Sequence, residues 1–207
     1  DRVCPYSHFG AGGRENPVQS SVVDNFPYTN PFLKGLDGFA RHHMATQGDG
    51  NHFAYLGKIT IDQTFIDGLY DCIDPEAATQ LEEHLGKTVR VLVTHHGSRG
   101  LGAKLYKRGV VAAEKHTAKL AKDIPKACHW IPFDTQDGSD YWDALQYIAE
   151  WTKDNHALIH EMVLDIAGGD SGQITNMGNE HNFVWKRGDS FYHGKGATPS
   201  WGTQFGK

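Results

Sequence analysis

Cysteine is scarce in this chain, and its placement excludes a disulfide framework: Cys4, Cys72 and Cys128 are odd in number and far apart, a usage that fits a reducing compartment. No apolar run approaches the roughly 20 residues of a membrane span, and no signal peptide is visible. Neither an internal repeat nor a linker-like stretch divides the chain. A cytoplasmic protein without membrane contact is therefore expected. Positive charge is also in short supply. A formal net charge of -5 and an isoelectric point near 6.2 argue against broad adhesion to nucleic acid, so any such contact must come from a local basic pocket.

With 207 residues, 39% of them hydrophobic, the chain can bury a substantial core, as one domain or a large piece of one. It begins at Asp1 rather than Met, so a processed protein or part of a longer one is expected. Residues 1–50 are rich in Gly, Pro, Asn and His without periodicity and read as loops with short elements. Val89-Arg90-Val91-Leu92-Val93 is a β-branched run, and residues 52–61 and 182–186 also favour strands. Residues 104–122 read as an amphipathic helix that stops near Pro125. A longer helix follows, capped by Ser139 or Asp140, with Tyr141, Trp142, Leu145, Ile148, Ile159, Val163 and Ile166 on its apolar face and Gly168-Gly169 at its end.

Three histidines each stand in a Gly- or Asn-rich turn at the edge of a strand-like run: Gly48-Asp49-Gly50-Asn51-His52-Phe53, His95-His96-Gly97-Ser98-Arg99-Gly100 and Asn179-Glu180-His181-Asn182-Phe183. Neutral imidazole ligates first-row transition metals well. Three of them from separate strand ends can form one face of a coordination shell with positions open to a phosphate oxygen. Consecutive side chains on a strand point to opposite faces, which favours His95 over His96 as the ligand. His42, His43, His84, His116, His129, His156 and His160 read as solvated or core side chains.

These blocks, in this order, resemble the RtcB family of RNA ligases. The resemblance also runs through Asp140-Tyr141-Trp142, Asn155-His156-Ala157-Leu158-Ile159 and His193-Gly194-Lys195-Gly196-Ala197-Thr198, covers roughly residues 45–200 and leaves the first forty residues poorly matched. It implies an α+β fold, a β-rich core with flanking helices, in a single catalytic domain over residues 1–207. It implies joining of an RNA 3'-phosphate or 2',3'-cyclic phosphate end to a 5'-hydroxyl end, in tRNA splicing or RNA repair, with GTP and two manganese ions and with an accessory protein factor. His52, His95 and His181 match metal ligands. Asp1 and Cys4 have the spacing of a further Asp and Cys ligand pair. Asn51, Tyr55, His181 and Asn182 fall in the nucleotide site, and Arg99 and Lys195 are candidate phosphate or RNA contacts.

The chain departs from the family pattern in several places. Pro5 stands where a Gly follows the Cys, and the distance from Cys4 to Asn51-His52 is short. Tyr55 replaces a glutamate, His96 a small hydroxyl residue, and Gly194 and Pro199 arginines. The family's covalent histidine lies in a C-terminal segment beyond the block matched by His193, so no residue here is assigned that role. Two other readings stay open: a metal-dependent phosphoesterase acting without GTP, and a non-catalytic module that binds metal or RNA ends. Sequence beyond Lys207 would separate them.

Overall fold

Ser20, Asp62, Asp74 and Thr135 each end a loop with a side-chain oxygen turned onto the peptide three residues ahead, and each starts a helix. The bonds come from Val23 N to Ser20 Oγ at 3.2 Å, from Phe65 N to Asp62 Oδ1 at 2.8 Å, from Ala77 N to Asp74 Oδ1 at 3.1 Å, and from Gly138 N to Thr135 Oγ1 at 3.2 Å. The computed structural model describes residues 8–9, 12–14, 18–70, 74–167 and 175–197. Within them the order is β1 (His8–Phe9), α1 (Ser21–Asp24), α2 (Asp37–His43), β2 (Thr46–Gly48), β3 (Phe53–Thr60), α3 (Gln63–Gly68) and α4 (Pro75–Glu82). Then come β4 (Thr88–His95), α5 (Leu101–Thr117), a 3-10 turn at Lys126–Cys128, α6 (Gln136–Ile166), β5 (Val184–Arg187) and β6 (Ser190–His193).

The expected strands at 52–61, 89–93 and 182–186 correspond to β3, β4 and β5. The long helix starts one turn earlier than expected, because Thr135 rather than Ser139 or Asp140 caps it. The helices between residues 62 and 86 were not anticipated. Each is a single short segment signalled by its Asp cap, joined in the second by Pro75 at the first helical position.

Contacts divide the chain into two compact units. The first comprises Asp1–Tyr55 and Val93–Asp170. Its core is helical: Leu33, Leu36, Ala40 and Met44 from α2 and the turns around it meet Leu101 and Leu105 of α5 and Ala144, Tyr147, Ile148 and Trp151 of α6. Trp151 is fully buried and donates its indole N–H to the Ala40 carbonyl at 3.1 Å, which satisfies its one polar atom inside the core. The second unit comprises Leu56–Leu92 and Ser171–Lys207. There Ile61, Ile66, Leu69, Ala78 and Leu81 are buried, with Ile59, Phe65, Val89 and Met177 packed against them.

The mixed α+β class holds, but the expectation of a β-rich core is corrected in the described residues. The sheets are three two-stranded pairs, β1 with β2 (parallel), β3 with β4, and β5 with β6 (antiparallel). Neither β3 nor β4 contains a buried residue. The apolar side chains that close the first unit's core sit at helical spacing instead, so helices bury it.

Candidate functional site: two histidine turns tied by buried amides

The first histidine turn grows out of β2, whose three residues are all buried. Asn155, fully buried on α6, holds this strand at Thr46: its Oδ1 accepts from the Thr46 N–H and its Nδ2 donates to the Thr46 carbonyl, both at 3.1 Å. The next residue, Gln47, is also fully buried, and its amide donates to the carbonyls of Phe53 at 2.7 Å and His95 at 3.2 Å. One side chain thus ties the residue after His52 to His95 itself. Gly48 follows at φ +93, where a Cβ would collide with Arg99 Nη1 and His52 Nδ1. Only glycine lets both side chains pass that close to the backbone.

These constraints bring the first two predicted ligands together. The rings of His52 and His95 lie 6.2 Å apart between centroids. His95 closes β4, stacks on Phe53 at 5.1 Å, and meets the Asn51 carbonyl through Nδ1 at 3.0 Å. A carbonyl only accepts, so Nδ1 carries the proton and the lone pair falls on Nε2, the arrangement usual for a metal-ligating imidazole. His52 Nδ1 is buried without a hydrogen-bond partner. Burial first, then the Arg99 guanidinium and His95, lower its pKa, so the ring is neutral at pH 7. A neutral ring with a buried, unpartnered nitrogen suits a transition-metal ion.

Arg99 stands at φ +54, left-handed for a non-glycine residue, and donates from Nε to Thr46 Oγ1 at 2.9 Å. Its head group lies beside His52, while its backbone leads through Gly100 into α5. It is the site's cation in the first unit. Asn51 and Tyr55 flank the same turn and are exposed, Tyr55 to 53% with its ring 5.7 Å from Phe53.

A second set of histidines lies behind the first. His96 is only 4% exposed and stacks on His156 at 3.4 Å, with its ring 6.5 Å from His52. Burial, reinforced by their mutual proximity, pushes His96 down to about 3, and burial takes His156 down to about 4. Neutral His156 gives its bonds a direction. Nε2–H donates to the His96 carbonyl at 3.2 Å, so Nδ1 accepts from the Thr94 hydroxyl at 2.7 Å, and Thr94 Oγ1 accepts from His160 Nε2–H at 2.8 Å. Sequence reading missed Thr46, Gln47, Asn155, His156 and His160 as parts of this assembly. The available signal was Asn155-His156 followed by His160 one turn later, a polar patch on a helix that otherwise supplies core.

His181, Asn182 and Lys195 belong to the second unit. His181 and Lys195 are exposed. Asn182 stands at φ +55, and its Oδ1 accepts from the Gly196 N–H, which ties the third histidine block to the Lys195 turn. His193 meets the Phe183 carbonyl at 3.0 Å. Asp1 and Cys4 lie outside the described residues. Among the described residues no group of three or more His, Cys, Asp or Glu is arranged to hold a metal ion.

Residues 32–205 match the family described as tRNA-splicing ligase RtcB. The chain belongs to the RtcB family. It is also 31% identical over 169 residues, 77% of its own length, to the RNA-splicing ligase RtcB2 of Escherichia coli. The chain spans 36% of the length of that relative. The RtcB match begins before Leu33 and Leu36 of the first unit's core and includes all three histidine turns. It therefore extends further toward the N-terminus than the motif blocks alone indicate. No helix among the described residues is long and apolar enough to cross a membrane.

Proposed function

We propose that this chain carries the metal site and part of the nucleotide site of an RNA ligase. The reaction joins an RNA 3'-phosphate or 2',3'-cyclic phosphate end to a 5'-hydroxyl end through a guanylylated intermediate, in tRNA splicing or RNA repair in the cytoplasm, with an accessory protein factor. The observation that carries the reading is the pairing of His52 with His95 beside Arg99, in a chain of the RtcB family.

The residues fit manganese in part. His52 and His95 supply two imidazoles, and His181, Asp1 and Cys4 are the proposed remaining ligands. When bound, the metal neutralises charge on phosphate oxygens. The protein's own groups do the rest. The Gln47 amide keeps the two imidazoles in register, and the Asn51 carbonyl holds His95 in the tautomer that presents Nε2. The Arg99 guanidinium, anchored by Nε on Thr46, brings its positive charge to an RNA phosphate. Asn51 and Asn182 hydrogen-bond the guanine nucleotide, Tyr55 offers a ring in place of a carboxylate, and Lys195 meets a second phosphate.

Intact mass before and after incubation with GTP and manganese tests this reading. A GMP-sized increment, mapped to a histidine, supports the ligase. Metal-loaded protein purified from its native source, whose C-terminus has been mapped and which gains no increment, sinks it and leaves a phosphoesterase or an end-binding module.

A further inference from the structure

The negative balance of the chain conceals a strongly basic segment. Residues 101–122 contain Lys104, Lys107, Arg108, Lys115, Lys119 and Lys122 against one acid, Glu114. That is a net +5 in a chain whose total is -5, leaving -10 on all other residues. The positions are not scattered. At 100° per residue Lys104, Lys107, Val111 and Lys115 fall on one side of α5, and all four are exposed. Leu101, Leu105, Gly109, Ala113 and Thr117 are buried on the other. Lys119 and Lys122 continue the exposed run through the turns after the helix.

Two of the cations are occupied. Arg108 donates to the carbonyls of Phe32 at 2.8 Å and Lys34 at 3.0 Å, and Lys104 sits 4.9 Å over the Phe39 ring. Lys107, Lys115, Lys119 and Lys122 make no ion pair among the described residues. Four exposed ammonium groups without carboxylate partners repel one another, and a polyanion relieves that repulsion. The stripe of Lys104, Lys107, Val111 and Lys115 carries no aromatic ring, and the exposed Tyr106 lies on a different side of the helix, so the stripe suits a phosphate backbone rather than stacked bases.

We propose that the exposed face of α5 and the turn after it form a track for the sugar–phosphate backbone of a single RNA strand, leading away from Arg99. This rests on the proposed action on RNA and adds a path for the strand beyond its reacting end. The helix starts immediately after Arg99-Gly100, and at 1.5 Å per residue the lysines from 104 to 115 span roughly 16 Å. The track grips several phosphates without reading sequence.

The test is fluorescence anisotropy of the protein with a short single-stranded RNA in two unrelated sequences, each with a 3'-phosphate or a 3'-hydroxyl, between about 50 and 200 mM salt. Combining Lys107→Gln, Lys115→Gln and Lys119→Gln is expected to reduce the slope of log affinity against log salt by roughly 2, equally for both sequences. Arginine at the same three positions is expected to restore it. Lys58→Gln with Lys87→Gln, exposed in the second unit, is expected to leave the slope unchanged. A wild-type slope in the glutamine triple overturns the track and assigns the face to another partner, such as an acidic protein. Loss of slope in a protein that does not distinguish 3'-phosphate from 3'-hydroxyl ends upholds the track but counts against the ligase reading. Absence of salt-dependent RNA binding in the wild type overturns both.

Discussion

Asn155 grips the peptide of Thr46 from both sides, accepting from its N–H and donating to its carbonyl at 3.1 Å each. The contact joins the middle of α6 to the strand that carries the first histidine turn, across more than a hundred residues of chain. Asn155→Leu preserves volume but leaves two buried backbone groups unpaired. A loss of about 2–4 kcal/mol is expected from urea unfolding. Thr46→Val removes only side-chain bonds and is expected to lose about 1 kcal/mol.

Gly48 and Gly50 both have positive φ, +93 and +70, but a Cβ at Gly50 enters open space while one at Gly48 meets Arg99 and His52. Gly50→Ala is therefore expected to lose only the conformational term, about 1 kcal/mol. Gly48→Ala should lose more in stability and also weaken manganese binding. Equal losses in chemical denaturation, with metal affinity unchanged in both, would argue against a role for the close approach.

Gln47→Glu should be tolerated only when protonated. The carboxylate would face the carbonyl oxygens of Phe53 and His95 in a fully buried position, so its pKa in the folded state rises above about 4.3. Stability is then present at low pH and lost as pH rises toward and through the folded value. Comparing this variant with Gln47→Leu at about pH 5 and pH 8 isolates the charge. A pH-independent difference between the two speaks against the assigned contacts.

Burial of the stacked His96 and His156 is expected to make stability fall in acid. Their folded values of about 3 and about 4 lie below the ordinary 6.5. Between those limits the unfolded chain binds protons that the folded chain refuses. The stack's contribution is intact above roughly pH 7 and declines as pH drops through 6.5 toward 4, each histidine adding up to about 1.4 kcal/mol per pH unit. Urea midpoints across that window should show the slope, and His156→Phe should remove one histidine's share.

Motif and periodicity made much of this molecule legible. His52 and His95 stood out because glycines surround them, and β3, β4, α5 and α6 followed from β-branched runs and apolar spacing. What stayed hidden depends on contacts distant in sequence. Gln47 and Asn155 are ordinary polar residues until the fold buries them against carbonyls, and His156 and His160 looked like helix surface because their partner Thr94 lies on a strand 62 and 66 residues away. The helical character of the first core was hidden for a related reason. The β-branched run of β4 suggests burial, yet every residue of β3 and β4 is half-buried or exposed.

Arg99 adopts a backbone conformation that glycine would enter freely, at φ +54. An L-residue there gives up about 1–2 kcal/mol, so stability alone would select glycine at this position. An arginine held in that conformation accords with the role proposed for its guanidinium at the site. Arg99→Gly is thus a substitution that relaxes the main chain while emptying the site of its cation, separating endurance from activity at one residue.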